Sequence, residues 1–163
     1  MTTELLEWVN QYLANDEEII VPIKKMWIEW RADHEEPSLE EFTVAVLADP
    51  RNEEMPGVDH AEGLEEMSPE DQEEYEKTME EMGFFSGPRV KLKSREITRE
   101  HIARMIFKHN ERLEQALRAA YEAMPQEMEE QQEGELIDLI EKVREFRQTL
   151  REMGLEQSDD EQP

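Results

Sequence analysis

Apolar residues recur at alternating steps of three and four over two long stretches. The first is Ile102, Ile106, Leu113, Ala116 and Ala120; the second is Leu136, Leu139, Val143, Phe146, Leu150 and Met153. A single apolar stripe on an otherwise polar segment marks an amphipathic helix. Thr98 is placed to cap the first helix and Met124-Pro125 to close it. The second begins at Gln126, with Gly134 inside it, or only after Gly134. Two such helices joined by a short connection predict a long antiparallel hairpin, 98–124 and 126 or 134–153. The two stripes are expected to face each other and form its seam. His109 falls on the first stripe, between Ile106 and Leu113, and is expected to be a core histidine hydrogen-bonded across the seam.

The N-terminal part is patterned in shorter pieces. Leu5, Leu6, Trp8, Val9, Tyr12 and Leu13 give a helical stripe over about Thr3 to Ala14, ended by Asn15-Asp16. Ile19-Ile20-Val21 is a β-branched run suited to a small strand. Pro22 suits a helix start, and Ile23, Met26, Trp27 and Trp30 line the next helix. Ser38 and Glu41 form a capping box for a third helix, which buries Leu39, Phe42 and Val46 and stops at Asp49-Pro50. Residues 56–67 hold glycines and acids with almost nothing to bury and are expected to be a loop. Ser68-Pro69-Glu70-Asp71 opens a helix to Met82 whose apolar side is only Tyr75, Met79 and Met82. Arg89 to Lys93 alternates polar and apolar, as a half-buried strand does, with Arg89, Lys91 and Lys93 outward. Asn52 to Met55 is its candidate antiparallel mate. The expected class is mainly α, with a short β-hairpin near 52–55 and 89–93 at most. Its parts are a helical subdomain over 1–51, an acidic insert over 52–88, a basic strand and hairpin over 89–154, and an acidic tail over 155–163.

Helix, short strand, helix, helix is also the order in which winged-helix domains begin. The segment Ser38-Leu-Glu-Glu-Phe-Thr-Val-Ala-Val-Leu-Ala-Asp-Pro-Arg51 resembles the third helix of the winged-helix modules in the delta subunit of bacterial RNA polymerase and its relatives. There, a helix of this kind runs into a strand after an Asp/Pro-Arg turn. Here Asn52 stands where an aromatic residue usually follows the turn, and no diagnostic motif carries the likeness. The resemblance implies a wing made from the 52–55 and 89–93 segments, with 56–88 inserted into it. Glu40 and Glu41 lie on the helix that would face phosphates, so the version implied binds protein. Three small helices packed as a plain helical subdomain is the competing reading.

Charge sharpens this picture. The chain has 43 Asp and Glu against 18 Lys and Arg, a formal net charge of −25. Residues 1–88 carry 25 acids and 5 bases, residues 89–118 carry 4 acids and 9 bases, and the remainder 14 acids and 4 bases. An overall excess of this size repels nucleic acid and anionic membranes, whose binding rests on basic side chains. Solvated disorder, adaptation to high salt and an acidic surface that captures a basic partner all produce such a composition. The basic island supplies Arg89, Lys91, Lys93, Arg95 and Lys108 as candidates for binding an anion or an acidic partner, the chain's own N-terminal part included.

Candidate chemistry is sparse. There is no cysteine, hence no disulfide and no thiolate metal site. His34, His60, His101 and His109 are not spaced as zinc ligands, and no Gly-rich phosphate loop or nucleophile elbow occurs. No catalytic residue, metal or cofactor is therefore assigned. Met1-Thr-Thr-Glu4 has neither basic nor apolar leader character, and no apolar run could span a bilayer, so a cytoplasmic location is expected. Trp27, Trp30, Phe84 and Phe85 are candidates for an exposed apolar contact with a protein partner. The expected role is a non-enzymatic interaction or regulatory module. The alternatives are a winged-helix-like module of transcription-related assemblies and self-association through the hairpin.

Overall fold

A computed structural model describes residues 3–58, 64–123 and 130–154, with the backbone alone at Val58. The loop beyond Val58, the turn at Met124-Pro125 and the acidic tail lie outside the described residues. The chain is mostly helical, with a small three-stranded antiparallel sheet. Its elements run α1 (Thr3–Asn15), β1 (Val21–Pro22), α2 (Ile23–Arg31), α3 (Leu39–Ala48), β2 (Asn52–Val58), α4 (Pro69–Glu81), β3 (Gly87–Leu92), α5 (Arg99–Glu122) and α6 (Glu130–Glu152). They divide into two compact units, Met1–Ile97 and Thr98–Pro163.

In the first unit the strand order is β1-β3-β2, with β3 central and antiparallel to both neighbours. Asn52 pairs with Leu92 and Glu54 with Val90, so the mate expected for the basic strand is the one it has. The pairing continues to Val58 opposite Gly87 after a register slip between Met55 and Val58. Glycine is required at that slip: a Cβ on Gly57 would run into the carbonyl of Gly87. The core gathers Leu5, Val9 and Leu13 of α1, Ile23, Met26 and Trp30 of α2, Phe42 and Val46 of α3, and Val21, Val90 and Leu92 of the sheet. Each helix contributes the positions one turn apart that the sequence pattern marks. The predicted capping box is present: Ser38 Oγ accepts from the Glu41 N–H, and Glu41 Oε2 accepts from the Ser38 N–H at 3.0 Å.

Where α3 ends, Asp49 ties three elements together. Its buried carboxylate accepts from Arg51 Nε, Arg51 Nη2 and Asn10 Nδ2 at 3.0, 2.8 and 3.0 Å. The Arg51 hydrogen bonds, with help from Asn10 and against burial, hold its pKa down at about 2, compared with an ordinary 3.8. A depressed carboxylate stabilises the fold above the ordinary value, and that stability is lost as pH falls from about 4 to about 2. Asp49→Asn is therefore expected to flatten that part of the acid limb and to cost about 1–2 kcal/mol near neutrality. Acid titration followed by tryptophan fluorescence measures it, since Trp8, Trp27 and Trp30 all lie in this unit. A limb that overlays the wild type would show that Asp49 is not the titrating group.

The insert between β2 and β3 carries α4, opened by Ser68 with Pro69 in the first turn. The helix buries no residue and is tied to α2 by ion pairs from Lys24 to Glu76 and Glu80.

The second unit is the antiparallel hairpin, α5 against α6, with Gly134 inside α6. On α5 its seam is not the predicted one. Ile102, Ile106, Leu113 and His109 are exposed, whereas His101, Asn110 and Glu114 are the buried residues of α5. On α6, Ile140, Val143 and Leu150 are buried, but Leu139 and Phe146 are not. The physical reason is polar: Asn110 Nδ2 donates to the Val143 carbonyl at 3.4 Å. Glu114 draws in Arg118, Arg144 and Arg147, and Arg147 also reaches Glu111. With these contacts on the α6 side of α5, half-buried Phe107 and Leu117 share that side and Ile102, Ile106 and Leu113 are left exposed.

Candidate interaction site

The loop between α2 and α3 is held by two tryptophans. Trp27 Nε1 donates to the Pro37 carbonyl and Trp30 Nε1 to the Glu36 carbonyl, both at 2.9 Å. An indole that buries its ring but finds an acceptor for its N–H loses little on desolvation. His34 lies flat on Trp30, with ring centroids 3.7 Å apart and planes 5° from parallel. Trp8 meets the other side of Trp30 edge-on at 5.3 Å. Trp30 is thus buried, with only an edge left to line the surface beside the loop. Trp27 is half-buried, with Arg31 over its ring at 5.8 Å.

Beside this loop lies an open groove of about 720 Å³. Leu5, Trp30 and Pro37 form its apolar part, and Glu4, Asp33, Glu35, Glu36 and Glu41 its acidic part, with His34 among them. A second hollow of about 530 Å³ on the Trp27 side shares Glu35, Glu36 and Glu41. Next to both runs the outward face of α3. Its ten residues include no Lys or Arg; Glu40 and Glu41 stand in the first turn, and Val44 is 63% exposed beyond them.

The basic island is largely spent inside the fold. Lys91, expected to point outward, is buried: Nζ donates to the carbonyls of Leu92 and Arg95 at 3.2 and 3.0 Å and pairs with Glu53 at 3.1 Å. Strict alternation fails in β3 because a long amine can fold back onto carbonyls at the strand end while its stem is covered. Arg95 Nη1 donates to the carbonyls of Leu13 and Asp16 at 2.6 and 3.0 Å, satisfying acceptors left open at the end of α1. Lys91 and Arg95 are thus removed from the predicted anion site. Arg89 and Lys108 are half-buried and Lys93 is exposed. Phe84 and Phe85 are half-buried, and Phe84 lines a small hollow against Tyr75 and Met79 of α4.

Among the described residues no group of three or more acidic or histidine side chains could hold a metal ion. No helix among them is long and apolar enough to cross a membrane. No family model, curated protein or solved structure matches the chain.

Two features of the site escaped the sequence reading. Lys91 carries a signal only once Asn52–Met55 is laid beside β3, because Glu53 then falls opposite it, and Arg95 carries none, because its acceptors are carbonyls at the end of α1. The acid-lined groove depends on residues from α1 and from the α2–α3 loop, which sequence spacing does not bring together.

Proposed function

We propose that the first unit is a winged-helix-like module working by protein contact, and that it binds a segment carrying Lys or Arg beside an apolar residue. The order helix, strand, helix, helix, strand, strand supports this, as does the β1-β3-β2 sheet, with α4 inserted into the β2–β3 wing. In such a module α3 is the helix presented to the ligand. One observation carries the choice of ligand: α3 offers carboxylates and exposed Val44 where a phosphate reader needs Lys and Arg. The neighbouring groove repeats the same chemistry, an apolar floor with an acidic rim.

The test has two arms on the full-length chain. Titrated into a fluorescent duplex DNA at low salt, the protein is expected to give no saturable anisotropy change. Saturable binding that weakens with salt would instead make it a nucleic-acid module. A photo-cross-linking residue at Val44, irradiated in native extract, is expected to trap a discrete protein, and Val44→Glu is expected to lose that protein in pull-downs. A cross-linker at Val44 that yields only unmodified chain would overturn the α3 surface.

A further inference from the structure

The hairpin leaves several large apolar side chains exposed. Ile102, Ile106 and Leu113 of α5 and Leu139, Phe146 and Met153 of α6 are between 37 and 66% exposed. At about 100° per residue the α5 trio spans one narrow stripe, and so does the α6 trio. Contacts of Asn110 with Val143 and of Glu114 with Arg144 and Arg147 fix both the register and the facing sides of the two helices. With those sides inward, the two stripes fall on the same broad face. Along it, Leu113 is level with Leu139, Ile106 with Phe146, and Ile102 with Met153.

This is a second seam. The α6 positions 139, 146 and 153 are spaced by sevens, as are 106 and 113 on α5, the repeat that keeps a stripe against a neighbouring helix. A helix with two seams is built to touch two helices, which is the situation in a four-helix bundle. We infer that the hairpin pairs through this face with a second copy of the same chain to form a four-helix bundle.

A second copy fits for three reasons. Rotation by half a turn about an axis parallel to the helices lays α5 on α6 of the second copy with the levels preserved. Leu113 then meets Leu139 of the second copy, and Ile106 meets Phe146 of the second copy. The two stripes cover about two helix widths by three to four turns, roughly 400 Å² per copy, and the doubled area of about 800 Å² is that of a weak, reversible pairing. Finally, the chain carries a net charge of −25, and copies repel one another over most of their surface. The six side chains of this stripe carry no charge, so copies meet there without setting carboxylate on carboxylate.

The test is sedimentation equilibrium of the full chain over a range of concentration, in low salt and in molar KCl. Dimers are expected, with the dissociation constant falling as salt screens the charge. Phe146→Glu and Leu113→Glu are each expected to weaken the dimer at least about tenfold, while Gln115→Glu, exposed on the other side of α5, leaves it unchanged. Both seam variants change exposed positions, and unchanged far-UV circular dichroism confirms that they fold. Because the chain has no cysteine, single Leu113→Cys and Leu139→Cys variants mixed under mild oxidation are expected to form the 113–139 heterodimer, whereas Glu141→Cys on the opposite side is not. A monomer at millimolar concentration in both salts, a dimer indifferent to Phe146→Glu, or cross-linking through Glu141→Cys would each overturn the pairing. A monomer would give the face to a different protein.

Discussion

Replacing Phe42 with alanine is expected to lower the stability of the first unit by about 3–5 kcal/mol. Phe42 is fully buried and belongs to the core cluster that joins α1, α2, α3 and the sheet. A cavity that several elements share cannot collapse by shifting one of them, which places the cost toward the upper part of the usual range. With an urea dependence of about 1–3 kcal/mol per molar, the tryptophan fluorescence midpoint should move by about 2 M. Phe42→Leu keeps most of the volume and should cost about 1–1.5 kcal/mol. The internal control lies two residues further along the same helix. Val44 is 63% exposed, and Val44→Ala should fall within about 0.5 kcal/mol of the wild type. Equal shifts for the Phe42→Ala and Val44→Ala variants would mean that α3 presents the opposite face to the core.

The contrast between Phe42 and Val44 also shows which features are legible in the sequence. In the first unit local signals agree with each other. The Ser38–Glu41 box starts α3, Pro22 opens α2, and Asn52–Met55 has one suitable mate in the chain. Apolar spacing on α1, α2 and α3 there marks the faces that meet in one core. In the hairpin the same spacing marks Val143 and Leu150 of α6 correctly, but on α5 it marks the wrong face. Ile106 and Leu113 repeat as a seam should, but Glu114 and Asn110 find partners on α6 that hold the helix turned. A periodicity count sees that a stripe must be covered and not what covers it. Lys91 is a parallel case: its charge predicts exposure, and only the carbonyls of Leu92 and Arg95, with Glu53 across the strand pair, explain why it is buried. Trp30 is a candidate, from sequence, for an exposed apolar strip that meets a partner. Its position over His34 and under Trp8 depends on how α1 packs, which local pattern does not encode.

Glu114 is the residue on which the hairpin's geometry turns, and Glu114→Ala is expected to destabilise it by about 2–3 kcal/mol. Its carboxylate is 3% exposed, with Arg118 Nη2 at 2.7 Å on one oxygen and Arg147 Nη2 at 2.9 Å on the other; Arg144 approaches at 3.5 Å. Removing one member of a buried charge cluster normally costs about 3–5 kcal/mol because the partners stay behind unpaired. Here Arg118 and Arg144 are half-exposed and can turn to water, so the cost is smaller; Arg147, at 23% exposure, can do so least. Glu114→Gln keeps the shape and an acceptor oxygen, and should cost about half as much. The pH dependence has a definite sign. Burial pushes the carboxyl pKa up, but the three guanidinium groups outweigh it, and the net shift is below the ordinary 4.5. The stabilisation is thus complete above that value and is lost as pH falls through the depressed one, a loss that both variants should no longer show. Thermal unfolding by far-UV circular dichroism gives the size of the effect, and amide hydrogen exchange along 140–147 assigns it to the hairpin. If Glu114→Ala leaves exchange there unchanged, the charge cluster does not set the seam, and Ile106 and Leu113 would have to be held outward by some other contact.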